Sequence, residues 1–414
     1  MKFLHLADLH FGKTIHGVSL LENGDQGAWV DRFLALTDEV HPDAVVIAGD
    51  VYDRSAPSGD AVALLSRMLT SLAERHIPVL LTAGNHDSVQ RLSFAAPLLD
   101  REGVHISEPL APGRALSHVT LTDEHGPVTF WLMPYVFPAL IARALGEDTP
   151  RDYDSAVRAL LAAQNVDFTQ RNVIVAHQNV TANGAEGLRG GSETMVGGVG
   201  QIDYTAFDGF DYAALGHIHA AYHVGRESVR YAGSPMCYHF DETRQSKKGP
   251  VLVTLNAPGE PAQVETLTIE ALHPMRELRG EYETLRQTLS EDRRAGEYLR
   301  IVLTDQRVTP ESSQYFRGLC ERRGSVLMEL CSEYQAFAAA PGDDLTARAL
   351  EERSAEDLFC DFFTQRAGGE PPSEADAALL SRAGELLRGA VGRDPEERDV
   401  QALLDFVLHQ EVDA

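Results

Sequence analysis

The first half of the chain contains five short runs of apolar residues, each followed by polar side chains. The runs cover residues 2–7, 43–49, 78–84, 171–176 and 210–216. Each run is rich in Val, Ile, Leu, Tyr or Phe and is too short for a helix. Because the runs are continuously apolar rather than alternating, they predict strands that are covered on both faces of a sheet.

Helical patterns separate several of these runs. The segments 29–40 and 59–76 predict helices, and a strand–helix–strand rhythm is typical of a layered α/β domain. Farther along, the segment 247–256 predicts a strand that closes a hairpin. A smaller α/β unit, expected to be a cap, follows from about residue 273. Its predicted elements are a helix at 280–289, a strand at 297–304, a helix at 310–323 and a strand at 325–330.

The carboxyl-terminal part of the chain predicts a separate helical unit after a linker-like segment at 337–344. One helix carries an apolar stripe made of Leu358, Phe359, Phe362 and Phe363. Such a stripe more often packs on its own domain. Here the linker detaches the unit from the core, which favours docking to a partner protein.

The polar residues that follow the five runs are of types that bind metal ions. They are Asp8 and His10, Asp50 and Asp53, Asn85, His86 and Asp87, His177, and finally His217 and His219. Sites in open α/β sheets form outside the carboxyl ends of the strands. Any one of these residues alone is more often structural. Five strand ends together predict one shared site.

Seven of these side chains are candidate metal ligands: Asp8, His10, Asp50, Asn85, His177, His217 and His219. Seven are too many for one tetrahedral zinc and suit two ions that share a bridging carboxylate. The absence of thiolates from the set favours Mn, Fe or Zn. Two such ions promote phosphoester hydrolysis. His86 is then available to donate a proton or a hydrogen bond to the phosphate, and Asp87 is expected to orient its neighbours.

Composition narrows the class of protein. The formal net charge of −26 argues against nonspecific affinity for polyanions, so a nucleic-acid partner would need bound cations, an arginine-rich patch or a second subunit. The cysteines Cys237, Cys320, Cys331 and Cys360 form no CxxC pair, which is typical of reduced thiols in the cytosol. No stretch approaches the ~20 apolar residues of a membrane span, so we expect a cytoplasmic protein with no membrane partner.

The motifs DxH, GDxxD, GNHD, a later His and GHxH, in this order, resemble those of the calcineurin-like metallophosphoesterases. The segments 49–58, 83–92, 193–219 and 350–363 are similar, more closely, to the bacterial nuclease subunits that act with the SbcC ATPase. This resemblance implies a four-layer αββα sandwich with a small α/β cap and a carboxyl-terminal helical unit. The implied domains are a nuclease domain at 1–272, a cap at 273–336, a linker at 337–344 and an SbcC-binding region at 345–414.

The resemblance also implies a division of the ligands. The first ion would be held by Asp8, His10, Asp50 and His219, and the second by Asp50, Asn85, His177 and His217. His86 would contact the scissile phosphate, and Asp53 would support the ligands from behind, together with Asp87. The implied cofactor is two Mn²⁺ per chain, with Fe, Zn or Mg as alternatives.

The activity that the resemblance implies is exonuclease action on duplex DNA ends and endonuclease action on single strands and hairpins, in DNA repair, recombination and replication. Partners would be DNA, the coiled-coil base of SbcC bound through Leu358, Phe359, Phe362 and Phe363, and a second copy of the chain within a heterotetramer. Relatives dimerise through the region that corresponds to the helical stretches predicted at 59–76 and 89–101, where some apolar residues would cover the sheet and others would face the second copy. The complex would associate with the nucleoid. Arg189, in the glycine-rich segment 180–203, is a candidate phosphate contact. Two other interpretations remain: an esterase for a small nucleotide or phosphoprotein, and a scaffold without catalysis.

Overall fold

A computed structural model of the chain describes residues 1–182, 200–244 and 247–334. The strands are β1 (Lys2–Leu6), β2 (Thr14–Ile15), β3 (Val18–Ser19), β4 (Ala44–Ala48), β5 (Val79–Thr82), β6 (Val104–Ile106), β7 (Ser117–Asp123), β8 (Gly126–Met133), β9 (Arg171–His177), β10 (Asn179–Thr181), β11 (Gln201–Asp203), β12 (Tyr212–Gly216), β13 (Tyr222–Val224), β14 (Arg226–Tyr231), β15 (Val251–Thr254), β16 (Gln263–Thr266), β17 (Met275–Gly280), β18 (Tyr298–Leu303) and β19 (Val326–Ser332). The helices are α1 (Asp25–Val40), α2 (Gly59–Glu74), α3 (Val89–Leu92), α4 (Ala96–Leu99), α5 (Pro138–Leu145), α6 (Tyr153–Ala162), α7 (Tyr282–Glu291) and α8 (Pro310–Glu321).

Two six-stranded sheets pack face to face. The first has the order β16-β15-β1-β4-β5-β6 and the second the order β13-β14-β12-β9-β8-β7. The layer between them is apolar and includes Phe3, whose ring lies 5.4 Å from that of Phe130 and 5.8 Å from that of Tyr212. Burial of both faces of each sheet explains why the central strands read as continuous apolar runs.

Helices cover the outer face of each sheet. On the first sheet, Phe33 of α1 and Met68 of α2 pack with the strand residues Leu4 and Val45. On the second sheet, apolar residues of α5 and α6 pack in the same way against β9 and β12. The result is the predicted four-layer αββα sandwich.

The five predicted strands are present as β1, β4 and β5 in the first sheet and β9 and β12 in the second. The hairpin strand predicted at 247–256 is β15, which pairs antiparallel with both β1 and β16. The helical stretch predicted at 89–101 is instead divided into α3 and α4. The break occurs because Ala95 adopts a left-handed backbone conformation (φ 59°) and Pro97 lies in the first turn of α4.

The smaller α/β unit contains a three-stranded parallel sheet, ordered β17-β18-β19, with α7 and α8 packed on it. The segment 275–280 forms the edge strand β17, so the helix predicted from residue 280 begins only at Tyr282. Asp25, at the start of α1, joins this unit to the sandwich: its carboxylate accepts a hydrogen bond from the Tyr298 hydroxyl (2.6 Å) and lies 2.9 Å from His273 Nδ1.

Several predictions concern residues outside the described ranges. These are the linker at 337–344, the helical region at 345–414 with its stripe at Leu358, Phe359, Phe362 and Phe363, and the candidate phosphate contact Arg189. They remain predictions, as do the domain boundaries. Among the described residues, Cys237, Cys320 and Cys331 carry free thiols, and no helix there has the length and apolarity needed to cross a membrane.

Truncation of the layer between the sheets should destabilise the domain. Leu80 is fully buried there, whereas Leu145 at the end of α5 is 41% exposed. We expect Leu80→Ala to lower the free energy of unfolding by about 2–5 kcal/mol, because a buried cavity would remain. Leu145→Ala should cost less than about 1 kcal/mol. Urea unfolding followed by the fluorescence of Trp29 and Trp131 measures both, and equal effects would contradict the assignment of the core.

Candidate metal centre

The seven candidate ligands lie together where the carboxyl ends of strands from both sheets meet. Asp8 and His10 follow β1, Asp50 follows β4, and Asn85 follows β5 in the first sheet. From the second sheet, His177 ends β9, and His217 and His219 follow β12. The site is therefore built by two sheets rather than by one strand edge.

One group of ligand atoms is formed by Asp8, His10 and His219, all of which are buried. The Nε2 atoms of His10 and His219 face each other at 3.2 Å. Two nitrogens that bind one ion at right angles, each at about 2.1 Å, are separated by about 3 Å. The two imidazoles are therefore placed as neighbouring ligands of a single ion.

A second group is formed around the side-chain oxygen of Asn85, which lies 3.0 Å from His177 Nε2 and 3.0 Å from His217 Nδ1. Asp50 stands between the two groups. Its Oδ2 is 3.5 Å from His10 Nε2 on one side and 3.4 Å from His177 Nε2 on the other. This is the position that a bridging carboxylate requires.

The electrostatics of the centre suit divalent cations. Burial raises the pKa of Asp8 to about 6, although the neighbouring histidines oppose the shift. Burial lowers the pKa of His10 to about 4 and that of His217 to about 3, so both imidazoles are neutral and their lone pairs are free to ligate near pH 7. Burial raises the pKa of Asp50, but the charge of His177 and its hydrogen bond outweigh burial and lower it, and the same pair raises the pKa of His177 to about 9 against the effect of burial. Carboxylate oxygens and imidazole nitrogens gathered in one cluster are ligands that divalent metal ions accept.

Four of the seven residues have a positive φ, which side chains with a Cβ rarely adopt. The values are 54° for Asp8, 44° for His10, 49° for Asp50 and 99° for His217. Each such conformation costs about 1–3 kcal/mol and persists only where the surroundings enforce it. Backbone hydrogen bonds do so here, since Asp8 N donates to Gly49 O at 3.0 Å and His10 N to Asp50 O at 2.9 Å.

Glycines allow the close approach of the loops. A Cβ on Gly84 would lie 2.1 Å from Asp50 Oδ1, and a Cβ on Gly216 would lie 1.9 Å from the carbonyl oxygen of Ala48. The second contact joins the two sheets, because Gly216 belongs to β12 and Ala48 to β4. The glycines of the GNHD and GHxH motifs are therefore required by the space around the centre.

The side chain of His86 is 42% exposed, as Asn85 beside it is also exposed, whereas most of the ligand candidates are buried. Its Nδ1 donates to the carbonyl oxygen of Asp53 at 2.9 Å, and its Nε2 is 3.9 Å from Asp50 Oδ2. Its backbone N–H donates to Asp50 Oδ1 at 2.9 Å. The ring is thus fixed at the solvent side of the centre.

Asp53 and Asp87 support the site from behind. Asp53 Oδ1 lies 3.5 Å from His10 Nδ1 and accepts a hydrogen bond from Lys13 Nζ at 2.9 Å. The Asp87 carboxylate accepts three backbone N–H groups, from residues 51, 52 and 84, at 2.9–3.1 Å. Asp87 therefore joins the loop after β4 to the loop after β5.

The structure also brings residues to the centre that the sequence analysis did not include. Glu242 is fully buried and its Oε1 lies 3.4 Å from His219 Nδ1. Burial raises its pKa, but the hydrogen bond with His219 and the charge of Lys248 outweigh burial and lower the pKa to about 2. The Tyr135 ring lies 6.3 Å from that of His217. Neither residue belongs to a motif, and no local pattern marks it.

Substitution of Gly84 should disrupt the centre. We expect Gly84→Ala to displace the Asp50 carboxylate and to weaken the binding of Mn²⁺ by at least about tenfold, since small displacements of ligands lose affinity. Gly59→Ala is a matched control, because nothing lies within 4 Å of a Cβ at that position. Isothermal titration calorimetry on both variants measures the effect, and unchanged affinity in Gly84→Ala would contradict the proposed packing around Asp50.

Two family models and a curated relative match this chain. Residues 1–221 match the family model for calcineurin-like phosphoesterases. Residues 271–367 match the model described as the type 5 capsule protein repressor C-terminal domain. The D subunit of the SbcCD nuclease of Staphylococcus epidermidis is 29% identical over 311 residues, covering 74% of this chain and 79% of that protein.

A crystal structure of TT1561 from Thermus thermophilus is 10% identical and covers 64% of this chain and 98% of that one, with a TM-score of 0.36. The first family model spans more than half of the 414 residues and contains every candidate ligand. The chain belongs to the calcineurin-like phosphoesterase family.

Proposed function

We propose that this chain is a two-metal DNA phosphodiesterase that uses Mn²⁺. It would act as an exonuclease on double-stranded ends and as an endonuclease on single strands and hairpins. The observation that carries the proposal is the position of Asp50, whose Oδ2 lies within 3.5 Å of an imidazole from each ligand group. The similarity to a nuclease subunit supports DNA as the substrate.

Bound divalent ions would supply Lewis-acid activation of the phosphodiester and of the attacking water. Asp8, His10, Asp50 and His219 would hold one ion, and Asp50, Asn85, His177 and His217 the other. His86 Nδ1–H is held by the Asp53 carbonyl, so the ring would donate from Nε2 to the phosphate or the leaving group in its doubly protonated, imidazolium form. Its exposure leaves room for a substrate that approaches from solvent.

The acidity of the chain suggests that a partner contributes to the grip on DNA. A net charge of −26 opposes the approach of a polyanion, and two divalent ions offset only part of it. The S. epidermidis relative is named as a subunit of a complex. We propose that an SbcC-type ATPase supplies the remaining contacts and controls access to the site during DNA repair, recombination and replication, in the cytoplasm at the nucleoid.

Docking of that ATPase is proposed to use the carboxyl-terminal helices. The stripe Leu358, Phe359, Phe362 and Phe363 falls within residues 271–367, which match the second family model. Arg189 is retained as a proposed phosphate contact because it lies in the segment that follows His177 and β10 in the chain.

The proposed dimer uses an apolar surface beside α2. Leu64, Met68 and Leu72 are buried against the first sheet, whereas Phe94 is 80% and Leu98 63% exposed. Large apolar side chains that are exposed within one short segment are typical of an interaction surface. We propose that a second copy of the chain covers them.

Charges on this surface should separate the dimer. We expect Phe94→Glu combined with Leu98→Glu to shift the mass in solution from dimer to monomer, because two carboxylates would be buried without partners. Val308→Glu, at an apolar residue of the smaller unit that is 38% exposed, is the control. Light scattering after size-exclusion chromatography gives the mass. A wild-type chain that is monomeric at all concentrations would contradict the proposal.

The proposed activity is tested with the full chain in Mn²⁺, alone and with an SbcC-type ATPase. Hairpin, single-stranded and blunt duplex DNA are compared with p-nitrophenyl phosphate and cyclic nucleotides. We expect DNA cleavage to fall about 10²–10⁴-fold in His86→Gln, because a proton donor is lost, and to background in Asp8→Ala. His125→Gln should have no effect, since that side chain is 39% exposed on the β7–β8 turn.

Two other results of this assay would favour the alternative functions. Turnover of monoesters or cyclic nucleotides without cleavage of DNA would favour an esterase for small nucleotides or phosphoproteins. No turnover of any substrate, with the assembly intact, would favour a scaffold.

A further inference from the structure

A buried ion pair lies directly behind His219. Glu242 is completely buried, in a short 3₁₀ helix at Phe240–Arg244. Its Oε1 faces His219 Nδ1 at 3.4 Å. Its Oε2 accepts hydrogen bonds from Lys248 Nζ at 2.7 Å and Ser234 Oγ at 3.0 Å. The two oxygens of one carboxylate therefore connect the imidazole to an ammonium group.

Lys248 also holds the main chain of the same histidine. Its Nζ donates to the carbonyl oxygen of His219 at 2.7 Å as well as to Glu242, and only 10% of its side chain is exposed. The backbone N–H of Tyr238 donates to Glu242 Oε2 at 3.2 Å. Both the ring and the backbone of His219 are thus fixed by one network.

The other histidine of the same ligand group has a similar arrangement. Asp53 lies behind His10 Nδ1 and is paired with Lys13. In the second ligand group, His177 Nδ1 donates instead to the carbonyl oxygen of Ala48 at 2.8 Å. A carboxylate behind an imidazole fixes the Nδ1–H tautomer and raises the basicity of Nε2 more strongly than a neutral carbonyl does.

The cost of burial indicates that the Glu242–Lys248 pair has a purpose beyond stability. Removing two charges from water often costs more than their attraction returns, and apolar residues of similar volume frequently stabilise a protein equally well. The pair is oriented towards a candidate ligand rather than closed on itself. This orientation favours a role at the metal centre.

We propose that Glu242, held by Lys248, is a positioning residue for His219, and that the group of Asp8, His10 and His219 binds its ion more tightly than the group of Asn85, His177 and His217. The inference rests on the proposed two-metal function. It assigns the two ions different affinities, set by what stands behind the histidines.

The test is Mn²⁺ binding to the full chain, by calorimetry and by electron paramagnetic resonance, which distinguishes an isolated ion from a coupled pair. We expect wild-type protein to bind two ions in two unequal steps. Glu242→Gln should weaken the tighter step by about 10- to 100-fold. In this variant, the binding of the first Mn²⁺ should then no longer be resolved from the binding of the second. The melting temperature of the metal-free Glu242→Gln protein should fall, because Lys248 loses its buried partner, so the affinities are compared well below the melting temperature of each variant.

Two further variants separate positioning from folding. Glu297→Gln is the matched control, because Glu297 is also buried and paired with an arginine, Arg276, but in the smaller unit. Glu242→Gln combined with Lys248→Met removes both charges. We expect the double variant to be folded and still to show the weakened tight step. If the double variant instead bound the first ion with wild-type affinity, the role of Glu242 would be to neutralise Lys248 and not to position His219. That result would overturn the proposal.

The failure of this inference can be distinguished from failure of the proposed function. A wild-type chain that does not bind two ions would overturn the two-metal function and this inference with it. Two unequal steps in wild type that persist unchanged in Glu242→Gln would overturn the positioning role alone. If Glu242→Gln does not fold, the folded double variant gives the answer.

Discussion

The carboxylate of Asp50 is the interaction on which the centre depends. Its Oδ2 stands between His10, which follows a strand of the first sheet, and His177, which ends a strand of the second, and its other oxygen accepts the His86 N–H at 2.9 Å. A charge buried to this degree is unfavourable unless opposite charge or hydrogen bonds compensate it. Loops from both sheets are therefore held in left-handed conformations and crowded against glycines. The sandwich provides the rigidity that maintains this strain.

The parts of the fold that could be predicted are those where burial leaves a simple pattern. The central strands are covered on both sides, so they read as apolar runs. Strand β7 alternates between half-buried and exposed residues in Ser-His-Val-Thr-Leu-Thr-Asp, and β17 is a polar edge strand of the small sheet. Their pairing partners are set by tertiary structure, so neither was predicted.

The same reasoning explains which residues of the metal centre could be predicted from the sequence and which could not. Ligand candidates could be predicted because each follows an apolar run, where the end of a strand is fixed by the sheet. Glu242 lies 23 residues beyond His219, in a short polar segment that has the composition of an ordinary surface turn. Its burial depends on the packing of residues such as Ser234, Tyr238 and Lys248 behind the site. The spacing of residues along the chain does not reveal such packing. The Glu242 carboxylate contacts the candidate ligand His219 and not the substrate.

The centre combines ligand candidates that are mostly buried with His86, which is exposed. A phosphate must reach the ions from solvent, so the side chain that meets it has to be accessible, whereas the ligands do not. His86 meets this requirement, yet its backbone N–H is bound to Asp50 and its ring to the Asp53 carbonyl. Asp53 in turn lies beside His10. Movement of the bridging carboxylate would therefore move the proposed proton donor as well. The position of the exposed His86 is thus determined by Asp50 and Asp53, which explains how a loop residue at the surface keeps a fixed position beside the centre.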